Sequence, residues 1–113
     1  MRLTLDGTHI IHDDDGGHVH LTRHAWERMC ARGVAPRTLC LVLRWGRIAR
    51  VRNAAIYAVG RKEMEKARAE GVDLSQAKNV HVVCARDGWV LTVYRNKDFR
   101  DLRMCKFRDY RVY

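Results

Sequence analysis

Thr22-Arg23-His24-Ala25-Trp26-Glu27-Arg28-Met29-Cys30-Ala31-Arg32-Gly33-Val34 is the stretch from which the rest of the 113-residue chain is read. Thr22 suits an N-cap, because its hydroxyl can accept a bond from a first-turn N–H, and Gly33 suits the left-handed residue that ends a helix. A helix of about two and a half turns is expected between them, at roughly 3.6 residues per turn. Ala25, Trp26, Met29 and Cys30 form its apolar stripe. His24, Arg28 and Arg32 follow one another at i, i+4 and i+8, so one line of the flank carries an imidazole and two guanidiniums. The guanidiniums are expected to lower the imidazole pKa and to attract an anion such as phosphate. The same line also reads as the solvated flank of an ordinary amphipathic helix.

Beyond Gly33 the punctuation stays clear. Pro36 can occupy the first turn of a second helix, with Leu39, Val42 and Leu43 as its apolar face and Trp45-Gly46 as its end. The short connection predicts a helical hairpin. From Arg47 the period changes to two. Residues 48–51 and 54–59 read as strands about Arg52-Asn53, with Ile48, Ala54, Ile56 and Ala58 pointing inward. Residues 61–70 form a helical run anchored by Met64 and Ala67 and ended by Gly71. Residues 80–85 and 89–94 are the strongest strands, joined through Asp87-Gly88, a tight-turn signal.

Before Thr22 the chain is polar. Residues 3–5 read as a short strand and residues 12–17 as loop or partly disordered chain. His9, His12, His18 and His20 with Asp13, Asp14 and Asp15 are the one metal-like cluster in the sequence. Their spacing fits no ligand motif, and they read as polar loop residues. After Arg95 come Phe99, Leu102, Phe107, Tyr110 and Tyr113 among Arg100, Arg103, Lys106, Arg108 and Arg111. Residues 99–102 suggest a helical turn and 110–113 an edge strand. This interleaving fits either stacking on single-stranded nucleic acid or a tail docked by its aromatics.

The order of elements predicts an α+β domain, with an N-terminal helical hairpin packed on a mainly antiparallel sheet of about four strands. Residues 20–113 make up this single domain, and residues 1–19 a polar, flexible N-terminal segment. No apolar run is long enough to cross a bilayer and no signal-peptide core is present, so a soluble, cytoplasmic protein is expected. No phosphate loop, G-x-S-x-G, H-E-x-x-H or G-x-G-x-x-G occurs. Cys30, Cys40, Cys84 and Cys105 lack zinc or redox spacing and read as buried, reduced thiols, with disulfides left open by the even count.

The formal net charge is +9. Arg2 against Asp6, Asp13, Asp14 and Asp15 leaves residues 1–20 at −3, so the remainder carries +12. Arginine supplies 17 of the 22 basic residues, which matters because its planar fork suits bidentate phosphate contact. A polyanion, nucleic acid foremost, is the partner this favours.

Leu21-Thr22-Arg23-His24-Ala25, Glu27-Arg28-Met29, Arg32-Gly33-Val34, Gly46-Arg47, Ala55-Ile56-Tyr57 and Gly88-Trp89-Val90-Leu91-Thr92-Val93-Tyr94-Arg95 together resemble the domain-of-unknown-function family 4258. The resemblance runs from about residue 20 to residue 96. That family is grouped with small ribonuclease-like folds of the barnase and RelE type, found as bacterial toxins. The resemblance implies such a fold, a metal-independent RNA-cleaving site and an antitoxin or immunity protein as partner.

Such cleavage needs a base for the ribose 2′-hydroxyl, cations for the phosphorane-like transition state and an acid for the 5′-oxygen. His24 is the expected acid or base, with Arg28 and Arg32 holding phosphate and Tyr94 completing the catalytic set. His81 is either a second acid–base group or, if it points inward, structural. Glu27, about sixty degrees round the helix from His24, is a weaker candidate base. Arg23, Arg47, Arg95, Lys97 and Arg103 are the expected nucleic-acid contacts. No cofactor or metal is expected. The competing class is a non-catalytic nucleic-acid-binding or protein-interaction domain.

Overall fold

Along the chain, the computed structural model, which describes residues 2–3, 9–12 and 17–99, runs β1 (Arg2–Leu3), β2 (His9–His12), β3 (His18–Leu21), α1 (Arg23–Ala31) and α2 (Pro36–Trp45). It continues through β4 (Arg47–Val51), β5 (Ala54–Ala58), α3 (Arg61–Ala69), a 3-10 turn (Ser75–Ala77), β6 (Val80–Ala85) and β7 (Val90–Arg95). Arg103 and the features expected at residues 4–5, 13–15 and 100–113 lie outside the described residues.

The strands form one sheet in the order β1-β2-β3-β7-β6-β5-β4. All pairs are antiparallel except β3 with β7, which run parallel with Leu21 beside Val90. This corrects the expected N-terminal helical hairpin on a mainly antiparallel sheet of about four strands, of the RelE and barnase type. The sheet is mixed, with six strands of four or more residues and two-residue β1 on its edge, and the helices are interspersed among strands. The extra strands come from the polar N-terminal residues. β2 buries the alternate residues His9 and Ile11 and β3 buries Leu21 at its end, although half the residues of the two strands are histidine. The helices pack on the sheet, with α1 lying along β7 and β3 while α2 lies against β5, β6 and the 3-10 turn.

Local signals in α1 act as their chemistry requires. The Ala25 N–H donates to Thr22 Oγ1 at 3.1 Å, and Gly33 adopts φ +65°. Ala25 and Met29 are the buried positions of α1, and Thr38, Leu39 and Val42 those of α2. They join Leu21, Val80, Val82, Val90 and Val93 in the main core on the helix-covered side of the sheet. Met64 and Ala67 of α3 reach the same core, beside Leu74 and Ala77. On the other side of the sheet, Ala49 and Ala58 pack with Ile56 and Phe99.

Ile48 departs from its expected inward position. The two-residue turn at Arg52-Asn53 pairs Ile48 with Tyr57 and Ala49 with Ile56, so Ile48 is 38% exposed and Ala49 is fully buried. Cys30 is also exposed rather than buried, whereas Cys84 is buried, and both are free thiols.

Gly46 ends α2 where the chain folds back onto β5. A Cβ there would sit 2.5 Å from the Val42 carbonyl oxygen and 3.0 Å from the Ala58 nitrogen, backbone atoms with no side-chain freedom to yield. Gly46→Ala is expected to destabilise the fold by about 1–3 kcal/mol, as overpacking does. At Gly33 the space is open, and alanine meets only the cost of a positive φ. Urea denaturation of Gly46→Ala beside wild type measures this; an unchanged midpoint would show that the α2–β5 approach is not tight.

Candidate functional site

α1 is fixed at its start. Thr22 donates its backbone N–H to the Val90 carbonyl at 3.0 Å and its hydroxyl to the Leu91 carbonyl at 3.4 Å, while Ala25 and Met29 hold the buried face. His24, Arg28 and Arg32 are all solvent-exposed, Arg32 being the C-cap residue just past the last turn. The i, i+4, i+8 line of an imidazole and two guanidiniums is thus displayed on an anchored helix. Arg23 is exposed too, and its Nε lies 3.7 Å from Glu27 Oε1. That pair commits Glu27 toward Arg23, further weakening it as a base for chemistry at His24. Being well exposed, it adds little stability.

Tyr94 does not join this line. Val93 is buried in the core that includes Ala25 and Met29, and successive strand residues point to opposite faces. Tyr94 therefore lies across the sheet from α1, its ring stacked on His81 at 5.0 Å and 24°. Its expected catalytic partnership with His24 is corrected by that alternation.

Arg47 is drawn into the same opposite face. Its Nε and Nη2 donate to Glu63 Oε1 at 3.2 and 3.1 Å, and its guanidinium carbon lies 5.1 Å from the centroid of Phe99. Glu63 Oε1 also accepts the Gly60 N–H at 2.8 Å, tying β4 to the start of α3. This half-buried ion pair gives Arg47 a structural task in place of the expected nucleic-acid contact. Arg95 and Lys97 are exposed. Arg95 pairs in register with Val80, which puts it on the helix side of the sheet.

Among the described residues His81 is the most deeply buried histidine, at 1% exposure. Its Nε2–H donates to the Asn96 carbonyl at 2.9 Å, which leaves Nδ1 as a buried acceptor with no hydrogen-bond partner among the described residues. Phe99 meets its ring edge-on at 4.9 Å. Burial lowers the His81 pKa, partly offset by the bond to Asn96. The structural reading of His81 therefore prevails over the catalytic one.

A feature that sequence reasoning missed is a cleft of about 510 Å³ on the helix side, bounded by His18, Leu43, Arg50, Tyr57, Cys84 and Arg86 among others. Its signal lay in strand register, since Arg50, Ala55 and Cys84 form one cross-strand row. That row becomes visible only once β4, β5 and β6 are aligned. Among the described residues, no group of three or more metal-ligating side chains converges, and no helix is long and apolar enough to cross a membrane.

Comparisons with protein-family models, curated proteins and solved structures find no match to the chain.

His81 makes a pH test of the fold. Unfolded histidine protonates near pH 6.5, whereas the folded site resists the charge, so the unfolded state binds more protons as pH falls. The stability contributed by neutral His81 is present above that pH and is lost below it. Chemical denaturation at pH 7 and pH 5 is expected to show a larger loss for wild type than for His81→Gln. Equal losses would mean that burial of His81 is not what resists protonation.

Proposed function

We propose that this protein is a metal-independent endoribonuclease whose chemistry is carried by the His24-Arg28-Arg32 line of α1. The single observation supporting it is that line itself: one imidazole and two guanidiniums, exposed and evenly spaced on a helix anchored at Thr22. Arginines at that spacing can grip a phosphodiester, and the excess of arginine over the whole chain favours a polyanion.

In this reading neutral His24 takes the proton of the ribose 2′-hydroxyl. The 2′-oxygen then attacks phosphorus, a P–O bond forms, and the bond to the 5′-oxygen breaks to leave a 2′,3′-cyclic phosphate. The imidazolium so formed returns its proton to the departing 5′-oxygen, and Arg28 and Arg32 offset the charge that gathers on the phosphoryl oxygens. Guanidiniums supply the positive charge that a metal ion provides in other nucleases. Arg95 and Lys97 extend the contact to flanking phosphates. An antitoxin-like or immunity-type partner would cover the same exposed edge.

A second reading, a domain that binds nucleic acid without cutting it, is favoured by one observation. With Tyr94 across the sheet and Glu27 beside Arg23, His24 is the proton-transfer group left to the line among the described residues.

Incubation of the purified protein with a broad panel of single-stranded RNAs in EDTA decides between them. Cleavage is expected, with His24→Ala lowering the rate about 10²–10⁴-fold, the usual weight of acid–base catalysis. Arg28→Ala and Arg32→Ala should each cost roughly 10–100-fold, the worth of a charged hydrogen bond. RNA that stays intact at high protein concentration, with binding retained in His24→Ala, would replace the nuclease by the binding domain.

A further inference from the structure

Arg50 on β4 and Tyr57 on β5 are diagonal neighbours across one strand pair. Arg50 pairs in register with Ala55 and Ile48 with Tyr57, so both side chains leave the sheet on its helix side, two residues apart along the ladder. Diagonal neighbours stand roughly 7–8 Å apart, a gap that a guanidinium and a phenol can span to meet one small anion between them. Arg50 is exposed and Tyr57 half-buried, and neither has a hydrogen-bond or charge partner among the described residues.

Both line the cleft of about 510 Å³ beneath the end of α2, a volume within the roughly 300–1,000 Å³ typical of small-molecule sites. The floor is shallow and apolar because Ala55 and Cys84, register partners on β5 and β6, are small where larger side chains would fill the layer. Half-buried Leu43 of α2 bounds it from above. Burial pushes the Cys84 thiol up to about 11, so the floor carries no thiolate to repel an anion. Neither aspartate nor glutamate is among the described residues that bound the cleft. His18 and Arg86 also reach its rim, but His18 Nδ1 lies 2.9 Å from His12 Nδ1 and Arg86 has a contact of its own, so the binding asks nothing of either. One guanidinium and one phenolic O–H match a singly charged carboxylate, which can accept two bonds from the arginine fork and a third from the hydroxyl. A phosphate dianion would call for a second cation. The flat floor beside the anion suits an apolar ring.

We propose that this cleft is a binding site for a small aromatic monocarboxylic acid, its carboxylate held between Arg50 and Tyr57 and its ring lying over Ala55 and Cys84 beneath Leu43. No α1 residue bounds the cleft, so this binding and RNA cleavage stand or fall on separate residues and separate measurements.

Calorimetric titration of the full chain with 2-naphthoate, its neutral alcohol analogue 2-naphthylmethanol and acetate tests it. Naphthoate should bind at least about tenfold tighter than either of the others. Arg50→Gln and Tyr57→Phe should each weaken it roughly tenfold, the worth of one hydrogen bond to a charged group. Ala55→Leu, which fills the floor, should abolish binding while retaining the wild-type circular dichroism spectrum. Should that variant fail to fold, Arg50→Glu takes its place and should abolish binding by charge reversal. Arg61→Ala, exposed on α3, should bind as wild type does. No binding of naphthoate at millimolar concentration overturns the proposal. So does binding of the alcohol as tight as that of the acid, or unchanged affinity in both Arg50→Gln and Tyr57→Phe, since either would mark adsorption of a ring to apolar surface. An equal loss in Arg61→Ala overturns it too, as general attraction to a basic protein.

Discussion

Leu21 lies beside Val90, and the next residue donates its N–H to the Val90 carbonyl, so one backbone junction joins the N-terminal strands, the sheet centre and the first helix. β6 and β7 lose regular register at this point. Val83 pairs with Thr92 and Cys84 with Val90, leaving Leu91 without a direct partner across the ladder. The Leu91 carbonyl accepts the Thr22 hydroxyl, the same hydroxyl that caps α1. The irregularity in the strand is therefore where the helix attaches. Its position along β7 determines where His24, Arg28 and Arg32 are displayed.

The sheet also acts as a partition. On the helix side, Val80, Val82, Val90 and Val93 meet Ala25, Met29, Leu39 and Val42 in a continuous apolar layer. On the other side the packing is aromatic and polar, with His81 between Tyr94 and Phe99, and Arg47 held by Glu63 over the Phe99 ring. A half-buried guanidinium must be paired and hydrogen-bonded to be tolerated, and Glu63 meets both needs while also accepting from Gly60. Arg47 and His81, chemically suited to catalysis when seen as letters in the sequence, are instead consumed in holding β4, α3 and the chain after β7 together.

What could be read beforehand divides by the range of the determining interaction. The cap at Thr22, the left-handed Gly33, Pro36 at the head of α2 and the turn at Asp87-Gly88 depend on residues within one turn of each other, and all stand where their chemistry places them. The number and direction of strands depend on partners far apart in sequence. In residues 9–12 and 18–21 histidine at half the positions masks a period of two, and nothing local announces that β3 will run parallel to β7. The α1 line was legible because helical spacing is local. Tyr94 was placed on the wrong face because the parity of β7 relative to α1 depends on the core around Val93. The cleft was invisible for the same reason, being a row across three strands.

Net charge is a property of the whole chain, but availability of charge is decided residue by residue. Arg47 is bound to a carboxylate and an aromatic ring, and Arg23 lies along its own helix beside Glu27. Arg28, Arg32, Arg50 and Arg95 are exposed on the helix side, on α1, on the β4 edge and at the end of β7. An exposed guanidinium retains most of its hydration and gives up little by meeting a phosphate, whereas one already paired must first lose its partner. A polyanion approaching the basic body would therefore gain more on the helix side of the sheet than against Arg47. The α1 line lies on that side. The overall positive charge thus becomes directional through the same strand alternation that builds the core.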